Sequence, residues 1–131
     1  MNNKLDKILA EISAGELIDK ITILEIKKLK INDSEKIKNI EKELSSLNAT
    51  LKNTISNTSK IQELINELKS INLKLWDIEN GKRLSEKNND FGEKFIELSR
   101  SVYKNNDERA KIKLEINNIL GSNIKEVKSY Y

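Results

Sequence analysis

Two long stretches of this chain repeat their apolar residues at alternating three- and four-residue steps, and that spacing commits both to helices with a coiled-coil seam. The first stretch is Ile37, Ile40, Leu44, Leu47 and Leu51, and the second is Ile61, Leu64, Leu68, Ile71, Leu75 and Ile78. Between them the polar run Asn53, Thr54, Ser56, Asn57, Thr58 and Ser59 interrupts the pattern. The spacing predicts helices over 34–53 and 60–87, joined by a short loop as an antiparallel hairpin of coiled-coil character. With no proline and four glycines in 131 residues, nothing marks strands or hairpin turns. The expected fold is all-α: a single-domain four-helix bundle containing a long antiparallel coiled-coil-like hairpin.

Two further helices complete that bundle. Residues 1–12 read as a frayed lead-in whose Leu5, Ile8, Leu9 and Ile12 form a loose helical turn. Ser13-Ala14-Gly15-Glu16 has the spacing of a capping box, which opens a helix over 13–31. In it Leu17, Ile21, Leu24 and Ile31 keep four-three spacing when Lys28 is counted, and Ile18, Ile23, Ile26 and Leu29 widen the apolar face. This helix is therefore expected to be covered on more than one side. Asp90-Phe91-Gly92-Glu93 repeats the capping spacing and opens a helix over 91–120, with Gly121 as its C-terminal cap. Asn80-Gly81 is a weak point in the third helix, which is nevertheless read as continuing to Lys87. The tail, 122–131, is expected to fasten to the bundle through Ile124, Val127 and its tyrosines.

Composition removes several functions. The absence of cysteine excludes thiolate chemistry and disulfides, and the absence of histidine removes the commonest general base and transition-metal ligand. No metal and no cofactor is implied. A net charge of +3 spread over interleaved lysine and glutamate reads as solvated helix faces, so nucleic acid is not indicated as a partner. The sequence has neither a signal-like apolar run at its start nor a stretch of about 20 apolar residues, which points to the cytoplasm.

Against this plain background one region stands out. All three arginines, Arg83, Arg100 and Arg109, lie between Trp76 and Lys113, as do Trp76, Phe91, Phe95 and Tyr103. In a chain so dominated by lysine, an arginine marks a position that uses its planar, forked guanidinium. At about 100° per residue, Phe95, Ser99, Val102, Asn106 and Lys113 share one line of the last helix, so Asn106 stands where leucine is expected. If the last two helices fold back on each other near 88–91, Arg83 comes level with Ile96, Glu79 with Ser99 and Arg100, Trp76 with Tyr103, and Asn72 with Asn106. The candidate ligand-binding residues are therefore Asn72, Trp76, Glu79, Arg83, Arg100, Tyr103, Asn106, Asp107 and Arg109, with Lys20 or Glu25 of the first helix in reach. Two readings stand side by side: a binding site, or a polar network that fixes helix register. Asp77 and Glu108 are expected to face water, and Asp19, away from the main seam, to pair with a lysine without functional gain.

The segments Ile12–Lys27, Leu75–Glu79, Phe95–Tyr103 and Asn106–Ala110 resemble an uncharacterised family of small helical bacterial and phage proteins. The resemblance spans nearly the whole chain. It implies no established chemistry, but some members occur in or near surface-polysaccharide gene sets, which implies an accessory role there.

Three functions compete. In a binding or accessory module, the polar cluster between the third and fourth helices would hold an anionic or sugar-like ligand or a partner protein, because guanidinium groups pair with phosphate and carboxylate while sugar rings stack on Trp and Tyr. An enzyme of a helical mutase or nucleotide-hydrolase type would have to use Glu79 or Asp107 with the arginines. Against it, the first helix lacks an arginine, and Glu16-x-x-Asp19 is the only clear E-x-x-D, so the paired acidic motifs that would hold magnesium are missing. The third is a structural coiled-coil assembly, as a homo-oligomer.

Overall fold

The computed structural model describes residues 4–130; Met1 to Asn3 of the lead-in and Tyr131 of the tail lie outside the described residues. Four helices follow one another: α1 (Ala14–Lys30), α2 (Ser34–Thr54), α3 (Ser59–Lys87) and α4 (Glu93–Leu120). There is no strand among the described residues, and the helices pack as an all-α bundle. None of them is long and apolar enough to cross a membrane.

Each start has a local cause. Asp33 accepts from the amides of Glu35 and Lys36 at the head of α2, and Thr58 accepts from that of Ile61 at the head of α3. The head of α4 departs from the expected capping box. Asp90 accepts from the Gly92 amide at 3.2 Å, so it closes a turn of its own, and the helix begins at Glu93 with Gly92 in the cap position. That turn also holds Asn89 at φ 53°, a left-handed conformation that asparagine tolerates better than most residues. Gly121, at φ 63°, ends α4 in the same left-handed region.

The helix pairing differs from the hairpin read in the sequence. α2 makes its close helix contacts with α1, not with α3, and the long antiparallel hairpin is formed by α3 and α4. A heptad stripe specifies that a helix has a partner without specifying which one. α1 decides the matter because it is apolar on several sides: Leu17, Ile18, Ile21, Leu24 and Ile26 are all buried. Each contributes about 1.5–3 kcal/mol on leaving water. α1 therefore sits in the middle, against α2 on one side and the α3–α4 hairpin on the other.

The main core gathers Ile18, Ile61, Leu64, Leu68, Ile112 and Ile116, closed from the side by Leu51 and Ile55. Gly81 of α3 meets the Leu98 side chain of α4, and Lys60 pairs with Glu115, which fixes the antiparallel register of the hairpin at two levels. α1 has 17 residues against 29 in α3 and 28 in α4, so the hairpin outlasts it. Toward the turn, from Glu79 to Arg100, only Ser85 is buried, and α3 and α4 there have little but each other.

The two ends of the chain also differ from expectation. Residues 4–12 carry no regular structure, and Leu5, Ile8 and Leu9 are exposed rather than gathered into a turn. In the tail Val127 is 87% exposed and Tyr130 71%, so apolar burial does not fasten it. Polar contacts do: Glu126 with Lys113, Lys128 with Asp107, and Ser122 with the head of α1.

Candidate functional site

The start of α1 is held by side chains from the far end of the chain. Ser13 accepts from the Glu16 amide at 3.1 Å, Asn117 of α4 from the Gly15 amide at 2.7 Å, and Ser122 from the Ala14 amide at 3.1 Å. The donors that a helix start leaves without intrahelical partners are thus satisfied across the interface. The close approach requires Gly15, where an added Cβ would stand 2.6 Å from the Lys113 carbonyl oxygen. The Glu16 carboxylate consequently does not reach back to close the capping box; it accepts from Lys113 instead.

One turn further on lies Asp19, fully buried. Its Oδ1 accepts from Asn72 Nδ2 at 2.8 Å and from Arg109 Nε at 3.0 Å, and its Oδ2 accepts a short second hydrogen bond from the Arg109 guanidinium. Lys113 Nζ stands 3.6 Å away. Asn72 also donates to Thr22 Oγ1 at 2.9 Å, and Thr22 donates to the Asp19 carbonyl at 2.8 Å. Every donor of that amide and hydroxyl is spent, and among the described residues no buried side-chain polar atom lacks a partner.

The sequence reading pairs Asp19 with a lysine, away from the main seam; the structure buries it, gives it Arg109 first and sets Lys113 at 3.6 Å as a second cation. α1 is surrounded by three helices, so a residue off the main seam still faces protein. The signal was present in the apolar residues on either side of it, Ile18 and Ile21, and in Ile26 seven residues on.

Charge follows from this geometry. The hydrogen bonds that Arg109 donates to Asp19 raise its pKa against the opposing effect of burial, with the Asp19, Glu16 and Glu126 charges adding to the rise. At Lys113 burial works to lower the pKa, but its hydrogen bonds to Glu126 and Glu16 and the Asp19 and Glu16 charges outweigh it, so the net shift is upward. The cations hold three carboxylates, those of Glu16, Asp19 and Glu126.

Of the residues named from the sequence, five line one cleft of about 370 Å³: Asn72, Trp76, Glu79, Arg83 and Arg109. Ile23 and Ile26 of α1 form its other wall. Arg83 pairs with Glu79 at 3.7 Å and is largely in solvent. Asn106 stays near, accepting from Arg109 at 3.3 Å, but it lines a second cavity of about 440 Å³ under the tail, together with Lys113 and Glu126. Asp107 pairs with Lys128 on that tail side. Arg100 and Tyr103 are not brought in; both are exposed. The register match is close to that expected, but these two lie on a face of α4 turned away from α1 and the cleft. Neither Lys20 nor Glu25 reaches the cluster: Lys20 is exposed and Glu25 pairs with Lys69 at 3.8 Å. Their places are taken by Asp19, Thr22 and Glu16. Asp77 and Glu108 are exposed.

No curated protein and no solved structure matches this chain. A protein family described as a family of unknown function, DUF6165, matches residues 8–131, nearly the full length, and the chain belongs to that family.

Proposed function

We propose that this protein is a binding or accessory module and that its site is the cleft between α1 and α3, which takes an anionic or sugar-like ligand. The observation that supports this most is the company kept there by Trp76: an indole beside two guanidinium groups, an acidic side chain and an amide, in a hollow of about 370 Å³. That volume falls in the range of small-ligand sites. An indole offers a flat apolar face to a sugar ring, and a guanidinium pairs with phosphate or carboxylate in two hydrogen bonds. Arg83 is the solvent-exposed arm of such a site. Arg109 is its fixed floor, with Nε, one NH1 proton and one NH2 proton already committed to Asp19 and Asn106 and two of its five donors left over. A phosphosugar or sugar nucleotide suits this pairing of ring and charge, in keeping with the polysaccharide context implied by the resemblance.

The enzyme alternative has less support, since Glu79 and Asp107 line different cavities and share no reacting centre. A purely structural role has one observation in its favour: the buried network around Asp19 closes on itself and needs no ligand to satisfy it. Thermal unfolding against nucleotides, sugar nucleotides, phosphosugars and small dicarboxylates, each with and without magnesium, separates these readings. A ligand of the cleft raises the midpoint in wild type and not in Arg83→Ala or Trp76→Ala. No shift from any compound would leave the network as a lock on helix register.

A further inference from the structure

The α3–α4 hairpin extends past the end of α1, and the face of α4 turned away from the bundle there carries an ordered charge pattern. Glu93, Glu97, Arg100 and Lys104 follow one another at four-three-four spacing, so they form a single stripe, and all four are exposed. Its first half is acidic and its second half basic. Among the described residues none of the four forms an ion pair within the chain, although exposed lysines and glutamates elsewhere do, as Lys60 with Glu63 and Lys38 with Glu35. Beside the stripe run Ile96 and Tyr103, one heptad apart and 54% and 53% exposed.

We propose that this face of α4 is a two-fold interface with a second copy of the chain. In an antiparallel helix pair the residue numbers of facing positions have a constant sum. Glu93 with Lys104 and Glu97 with Arg100 share the same sum, so one rotation places both acidic positions opposite both basic ones, and the two-fold axis repeats each pair. The contact is isologous, which closes the assembly at two subunits. The same register lays Ile96 of one copy beside Tyr103 of the other at the flank of the charged seam, where the ring covers apolar surface and its hydroxyl stays in water. A parallel arrangement would set like charges against each other, and a shift by one heptad would do the same, facing Glu93 with Glu97 or Arg100 with Lys104. The charge order selects orientation and register, and the small apolar rail sets a modest affinity. This role accounts for Arg100 and Tyr103, which the ligand cleft leaves out, and it is independent of that cleft.

Charge reversal tests the pairing directly, because all four positions are exposed and their substitution leaves the fold intact, which circular dichroism verifies. Sedimentation velocity over about a hundredfold range of concentration should show the wild type passing from monomer to dimer. Glu97→Arg alone and Arg100→Glu alone should each weaken the dimer by at least about tenfold, since each sets like charges opposite each other. The chain carrying both changes should regain it, and so should an equimolar mixture of the two single variants, as a heterodimer. A wild type that stays monomeric throughout would overturn the proposal and leave the stripe to solvent or to a different partner. A dimer indifferent to both single reversals would overturn it too, by placing the interface elsewhere.

Discussion

Arg109 of α4 grips Asp19 of α1 with two parallel hydrogen bonds, and the carboxylate it holds is fully buried while the guanidinium keeps an edge toward the cleft. This pair joins the central helix to the last one, ninety residues away in sequence. Asn72 brings α3 to the same carboxylate, so one side chain organises three of the four helices.

Removing that carboxylate takes the paired counter-charge from the partly buried Arg109 guanidinium, while Lys113 keeps Glu16 and Glu126. Asp19→Ala is expected to cost about 3–5 kcal/mol, measured by urea unfolding. The double variant with Arg109→Leu should cost clearly less than the sum of the two single changes, because both ends of the interaction are removed together.

Asn72 and Asn106 should respond differently to leucine. Asn72 spends its amide on Asp19 and Thr22, so Asn72→Leu is expected to lose about 1–3 kcal/mol. Asn106 makes a single 3.3 Å contact to Arg109 and borders the cavity under the tail, so Asn106→Leu should stay within about 1 kcal/mol of wild type. A large loss at Asn106 would show it to be part of the structural lock.

Glycine has opposite meanings at two positions. At Gly15 a Cβ would press 2.6 Å from the Lys113 backbone oxygen, so Gly15→Ala must part α1 from α4 and should cost about 1–3 kcal/mol. At Gly81 a Cβ would meet only the tip of the Leu98 side chain at 3.1 Å, which can move. Gly81→Ala should be neutral or stabilise by up to about 1 kcal/mol, the ordinary gain for alanine inside a helix. Thermal midpoints of the two variants should therefore shift in opposite directions, or only the first should shift.

The raised pKa of Lys113 predicts an alkaline weakness. A basic group whose folded value lies above its unfolded one of 10.5 contributes its full stability below that pH and loses it as the pH rises through the folded value. Wild type should therefore lose its advantage over Lys113→Met above pH 10.5, and the gap between the two unfolding midpoints should be constant at neutral pH. A gap that widens with rising pH would contradict the sign.

Much of the local structure was legible because helix signals are local. The heptads of Ile37–Leu51 and Ile61–Ile78, the Ser13 cap and the Gly121 stop each act within one or two turns, and the all-α class follows from them. Asn72, Trp76, Glu79, Arg83 and Arg109, which line one cleft, stand out in the sequence, since polar and aromatic residues breaking an apolar pattern show up without knowledge of the partner. Partner choice was not legible. Every seam here is made of the same isoleucine and leucine, so nothing in α2 favours α3 over α1, and the pairing rests on α1 being apolar on several sides at once. The burial of Asp19 and its capture by Arg109 are illegible for the same reason: its place on one helix says nothing of what surrounds that helix. Burial is a property of the assembled bundle, and so are the exposure of Arg100 and Tyr103 and the capture of Lys113 by a tail whose own sequence shows only scattered charges. Where helices start, stop and turn an apolar face is set locally along the chain; which faces meet is set by the assembled bundle, because a non-directional hydrophobic drive leaves that choice to shape, length and the few charges that must be paired.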